Sequence, residues 1–136
     1  MGLAERRVVL DFETNALPAL KTRIEEAAGA AVPVEIQWDG LCPNGESHLF
    51  IECWSAIYFE PLIAALKTVG RDAMGKEALK AGLKKIVVQN TKGNYYADGL
   101  AALENGMLTL DHEPLTNAGD VDARTAALVN VLEAGL

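Results

Sequence analysis

His48-Leu49-Phe50-Ile51-Glu52-Cys53-Trp54-Ser55-Ala56-Ile57-Tyr58 decides the fold, because the stretch can be read with two periods. With period two, Leu49, Ile51 and Cys53 share one face of a strand. With period 3.6, the pairs Leu49/Phe50, Cys53/Trp54 and Ile57/Tyr58 make a helical stripe. We take the strand, ending near Cys53. Downstream, Pro61 suits a helix start, and Leu62, Ile63, Leu66 and Val69 form one apolar face closed by Gly70. Asp72 caps a second helix in which Met74, Leu79 and Leu83 look inward, while Gly75 and Gly82 each weaken it by about 1 kcal/mol relative to Ala. Ile86-Val87-Val88 reads as a short buried strand and Thr91-Lys92-Gly93-Asn94 as a turn. Met107-Leu108-Thr109-Leu110 is a further strand, and Asp120 caps a final helix with Val121, Leu128, Val131 and Leu132 on its inner side.

Upstream, Cys42-Pro43-Asn44-Gly45 is turn chemistry. Val34, Ile36 and Trp38 alternate with Glu35, Gln37 and Asp39 as in an amphipathic strand. Leu17, Leu20, Ile24, Ala27 and Ala28 recur at helical spacing. Val8, Leu10 and Phe12 alternate with Val9, Asp11 and Glu13, which predicts a strand before a helix capped at Thr14-Asn15. The order has no regular βαβ alternation, and the strands at 86–88 and 107–110 can pair as a hairpin if 91–105 is a long connection. These elements predict an α+β single compact domain over 1–136, with a mainly antiparallel sheet of four to five strands packed against about four helices.

The 136 residues are 50% hydrophobic and 23% charged, and 12 Lys+Arg against 19 Asp+Glu give a net charge of −7. That composition belongs to an ordered globular chain. The acidic balance argues against a general nucleic-acid binder, whose affinity rests on clustered cations. The first residues lack the apolar core of a secretory signal, and charge or Pro breaks the apolar stretches short of a membrane span, so no membrane role is expected. Two cysteines, Cys42 and Cys53, are too few for a disulfide framework and suit reduced thiols in the cytoplasm.

Val8-Val9-Leu10-Asp11-Phe12-Glu13-Thr14 resembles the first motif of the DEDD-type 3′–5′ exonucleases, in which a strand ends in Asp-x-Glu-Thr. The resemblance implies that Asp11 and Glu13 hold divalent metal, since a two-metal phosphoryl-transfer site needs several hard oxygen ligands. It covers about seven residues firmly, and Arg23-Ile24-Glu25-Glu26 extends it loosely. The later motifs depart. Asp72 is the only Asp between 54 and 83, and His112 is followed five positions on by Asn117 where the family has Asp.

Cys42, His48, Cys53 and His112 are all the Cys and His present, but their spacing is not that of zinc ligand pairs. Cys42 with His48 or His112 is the one candidate thiol–imidazole pair. Asp111-His112-Glu113-Pro114 gathers ionisable groups just past a strand, and Asp111 and His112 join Asp11 and Glu13 as candidate metal ligands. Lys76, Lys80 and Lys84 are four apart, one stripe on a helix and a candidate docking surface. Residues 93–136 hold only Arg124 against seven acids. Trp38, Trp54 and Tyr58, with Phe59, are candidate interface aromatics, and Tyr95 and Tyr96 fall in a loop.

We read the chain as a small acidic protein that works by protein–protein binding, by self-association or by shielding a basic partner, with no cofactor. Two alternatives stand beside that reading. One is phosphoester hydrolysis dependent on Mg or Mn at Asp11 and Glu13, and the other is a small-ligand pocket beneath Trp38 and Trp54.

Overall fold

Residues 3–28, expected as a strand and a helix, form one helical rod in the computed structural model, which describes residues 1–136. α1 (Leu3–Asp11) runs through a π turn (Phe12–Ala16) into α2 (Leu17–Ala28). Alternation misleads here: Glu5, Val9 and Phe12 are the buried positions, at helical spacing, while Leu10 is 66% exposed. Ala4, Glu5, Arg6 and Arg7 are good helix formers. Pro18, which has no N–H, is accommodated by the π turn just before it, where the Leu17 N–H reaches back five residues to the Phe12 carbonyl.

The ambiguous stretch uses the same device. A 3₁₀ turn (Ser47–Leu49) leads into α3 (Phe50–Trp54), a π turn (Ser55–Phe59) and α4 (Glu60–Val69). The Glu60 N–H bonds the Ser55 carbonyl immediately ahead of Pro61. The stretch is therefore helical rather than a strand: Phe50, Cys53, Trp54, Ile57 and Tyr58 are buried, whereas Leu49 and Ile51 are exposed. The rod Ser47–Val69 also continues through Glu52, Glu60 and Pro61, and has the length and mean hydropathy (1.5) of a membrane span. Its burial inside the fold, 61% over the apolar window, accounts for that apolarity.

α5 (Ala73–Gly82) begins at Asp72, whose Oδ1 accepts the Gly75 N–H at 2.8 Å. Gly75 is not the weak point that helix propensity predicts, because a Cβ there would lie 1.7 Å from the Val69 carbonyl oxygen. Gly75→Ala should therefore destabilise by about 2 kcal/mol through overpacking instead of stabilising the helix. Chemical denaturation decides the sign, and a gain in stability would show that the turn relaxes freely.

The sheet holds β1 (Val34–Ile36), β2 (Lys85–Gln89), β3 (Ala101–Glu104) and β4 (Met107–Asp111) in the order β1-β2-β4-β3. The expected mainly antiparallel sheet is corrected: β1–β2 and β2–β4 are parallel, and only β3–β4 is antiparallel. The helices of 47–82 form the crossover that parallel pairing of β1 with β2 requires. The predicted pairing of 86–88 with 107–110 exists, but as a parallel pair. Residues 101–104 form an additional strand that takes the antiparallel place beside β4, across Asn105-Gly106, where both φ values are positive.

Ile86, Val88, Leu108 and Leu110 face the single hydrophobic core, together with α2, α4 and α6 (Val121–Gly135). The opposite face carries Glu35, Lys85, Val87, Gln89 and Thr109, and Val87 stands outside the core cluster. The result is an α+β fold of four helical rods against one mixed sheet.

Candidate functional site

The three parallel strands end at one edge of the sheet, at Ile36, Gln89 and Asp111. Open α/β sheets place their ligands outside the carboxyl ends of such strands. Here the loops 37–46, 90–100 and 112–120 meet there, and side chains stitch them together. Asn90 Nδ2 donates to the Gly40 carbonyl at 3.0 Å, and its Oδ1 accepts the Gly93 N–H. The Glu113 N–H donates to the Asn94 carbonyl at 2.7 Å, and Asn117 Nδ2 donates to the Tyr95 carbonyl at 2.9 Å. Asn94 folds its own loop by bonding the Tyr96 and Asp98 main chain. Glu113 closes the third loop by accepting the Leu115 and Thr116 N–H groups.

Asp111 is the main fastener. Its Oδ1 accepts the Thr91 N–H at 2.8 Å, and its Oδ2 accepts Thr91 Oγ1 at 2.5 Å and Gln89 Nε2 at 3.0 Å. Burial acts to raise its pKa, but the bonds from Thr91 and Gln89 and the charge of Lys92 outweigh burial and hold it below the ordinary carboxylate value.

His112 and Arg124 form a buried polar pair behind this edge. His112 Nδ1 lies 2.5 Å from the Glu113 carbonyl, which can only accept, so Nδ1 carries the proton. Nε2 is then the acceptor for Arg124 Nε, at 3.4 Å. Arg124 Nη2 also donates to the Thr116 and Asn117 carbonyls, at 3.2 and 2.5 Å. Nη1 has no partner, and no carboxylate lies within ion-pair distance. Tyr58 donates its hydroxyl to the His112 carbonyl at 2.5 Å. Burial, reinforced by Arg124, lowers the His112 pKa below the usual histidine value against the opposing pull of Glu113 and of the Tyr95 main chain. Burial likewise lowers the Arg124 pKa.

Searches of protein-family models, curated proteins and solved structures find no match to this chain. The site therefore has to be read from its own chemistry.

What this edge shows to solvent is Tyr95 and Tyr96. They are 44% and 59% exposed, with ring centroids 4.3 Å apart and a hydroxyl–hydroxyl bond of 3.1 Å. The expected interface aromatics lie elsewhere. Trp54 and Tyr58 are buried, and Trp38 is half-buried against Trp54 (4.9 Å between centroids) and Phe12 (5.9 Å). They are core packing, with Trp54 and Tyr58 offering no surface to a partner. Lys76 and Lys80 are exposed on α5, but the helix ends at Gly82, so Lys84 leaves the predicted stripe.

Asp11 and Glu13 are exposed on the first rod, not on a strand, and Asp11 accepts Asn15 Nδ2 at 2.6 Å. The exonuclease-like motif thus lacks the strand end that its metal geometry requires. No three His, Cys, Asp or Glu side chains gather at a site able to hold an ion, and Asp111 and His112 serve as fasteners with their polar atoms engaged. Cys42 is buried and unbonded to either histidine, and burial followed by Glu5 pushes its pKa up to about 11. It is a protonated thiol at neutral pH and a weak nucleophile.

Proposed function

We propose that the protein acts by binding a basic protein partner at this loop edge, with Tyr95 and Tyr96 as anchors. The observation that carries the reading is the pair of exposed tyrosines, their rings tilted 36° to one another, on a loop whose shape is fixed by Asn94, Asn117 and Asp111. Aromatic side chains held rigid before contact give large buried area at small entropy loss. Arg124 is the only cation in residues 93–136 and is buried, so acids dominate the exposed charge there, with Asp98, Asp120 and Asp122 in the same loops and the helix start. Lys or Arg side chains of a partner would meet both tyrosine faces and carboxylates.

Capture on the immobilised full chain tests this. Wild type should retain a basic protein whose purified form rebinds, with affinity falling as salt rises. Tyr95→Ala with Tyr96→Ala should weaken that binding at least ~10-fold, because hot-spot aromatics each contribute more than about 1 kcal/mol. Equal retention by the double variant, or no basic protein retained, would overturn the reading.

A further inference from the structure

We infer that protonation of His112 unlatches the tyrosine loop, so that the binding surface is held in shape at neutral pH and let go in acid. The inference rests on the proposed binding edge for its consequence, and on the buried His112–Arg124 pair for its mechanism. Segment 112–117 stands between Arg124 and the loop that carries the tyrosines. On one side Arg124 holds His112 Nε2 and the Thr116 and Asn117 carbonyls. On the other, the Glu113 N–H and Asn117 Nδ2 hold the Asn94 and Tyr95 carbonyls. A change at the first contact is transmitted to the second through these six residues.

The neutral ring is required at that contact. With Nδ1–H given to the Glu113 carbonyl, Nε2 has a lone pair for the guanidinium. A second proton turns Nε2 into a donor facing donors, and sets two buried cations 3.4 Å apart. Burial and Arg124 outweigh the main-chain carbonyls of Glu113 and Tyr95 and the Glu113 charge, which favour the protonated ring, and no carboxylate bonds the ring directly. From the second rod Tyr58 faces it edge-on at 6.4 Å, and beyond Tyr58 stands Cys53, both uncharged at neutral pH. From α6 comes Arg124, with Asp120 acting on Arg124 from the helix start. On the strand end, the Glu113 carboxylate is committed to Leu115 and Thr116, and that of Asp111 to Thr91 and Gln89. Burial lowers the His112 pKa in the latched state, so the released state binds the proton more readily. The latch is at full strength above the ordinary histidine value of about 6.5 and weakens as pH falls from there towards the latched value.

Amide hydrogen exchange on the full chain, corrected for intrinsic rates and compared at about pH 7.5 and about pH 5.5, tests the inference without any partner. Protection at 94–96 and 113–117 should fall about tenfold in acid while α4 stays protected. In Arg124→Met, which removes the second cation, protection should be independent of pH. Nuclear magnetic resonance titration of wild type gives a reading that needs no variant. His112 should titrate below about 6.5, with loop protection lost over the same interval. Unchanged protection in acid, equal acid loss in Arg124→Met, or titration of His112 above the ordinary value would each overturn the latch. If the latch holds and the tyrosine double variant still captures the partner, the binding reading alone fails.

Discussion

Trp54→Ala is expected to lower stability by about 4 kcal/mol, a large share of the roughly 5–15 kcal/mol that holds an ordinary domain folded. Trp54 is buried where the two long rods and the 3₁₀ turn at Trp38–Gly40 meet. Its ring stacks on Phe50 at 4.9 Å, lies 4.9 Å from Trp38 and meets Phe12 edge-on at 5.2 Å. Truncation strips all three contacts and opens a cavity that rigid helices fill poorly. It also leaves the Leu41 carbonyl without the indole N–H that reaches it at 3.1 Å. Trp54→Phe separates the two effects. It keeps most of the volume and should lose about 1–2 kcal/mol, mainly for the unpaired carbonyl and the smaller ring. Urea denaturation followed by far-ultraviolet circular dichroism gives both values. A Trp54→Ala chain within about 1 kcal/mol of wild type would show that the aromatic group is not the centre of the core.

Arg124 should give the second large effect, and the direction of its variants is diagnostic. Arg124→Ala leaves the Thr116 and Asn117 carbonyls and His112 Nε2 without donors and empties a fully buried volume, for a loss of about 3 kcal/mol. Arg124→Met orphans the same acceptors but keeps the volume, and it removes a desolvated cation that has no carboxylate and an unpartnered Nη1. Its loss should be less than half that of alanine, since buried charge is weak support for a fold. Equal losses in the two variants would mean that hydrogen bonding, not filling, is what the guanidinium contributes. Thermal denaturation at neutral pH makes the comparison.

The parts of the fold legible in the sequence are those where one period runs uninterrupted. Residues 62–69, the strand at 107–110 and the last helix read correctly because each buries one face of one regular element, and the strand at 86–88 because its apolar run is buried on both faces. The two segments read as strands that fold as helices both contain π turns. The extra residue in each shifts the apolar stripe around the rod, so that Leu3 and Leu10 face solvent while Leu17, on the same heptad, is buried. No window of fixed period follows such a shift, although Pro18 and Pro61 two residues past each turn are a local sign of it.

Parallel pairing was hidden for another reason: strand direction depends on a crossover that no single strand encodes. At the candidate site, the cluster at 111–113 and the loop tyrosines were visible as residue types. Their roles were not, because the partners of Asp111 are 20 and 22 positions away and those of Tyr95 lie across another loop. Arg124 stands out in the sequence as the lone cation among acids, but nothing local shows that it is buried.

The strand order also sets the sequence of assembly. β3 and β4 meet across two residues, but Val34 must find Ile86, a separation of 52, and Ile86 must find Leu108, a separation of 22. The hairpin is therefore the natural early piece, and the central strand the last to gain both neighbours. Until the crossover rods dock, Ile86-Val87-Val88 is a bare apolar ribbon able to join a neighbouring molecule's strand, so yield on refolding should depend on chain concentration more than on final stability.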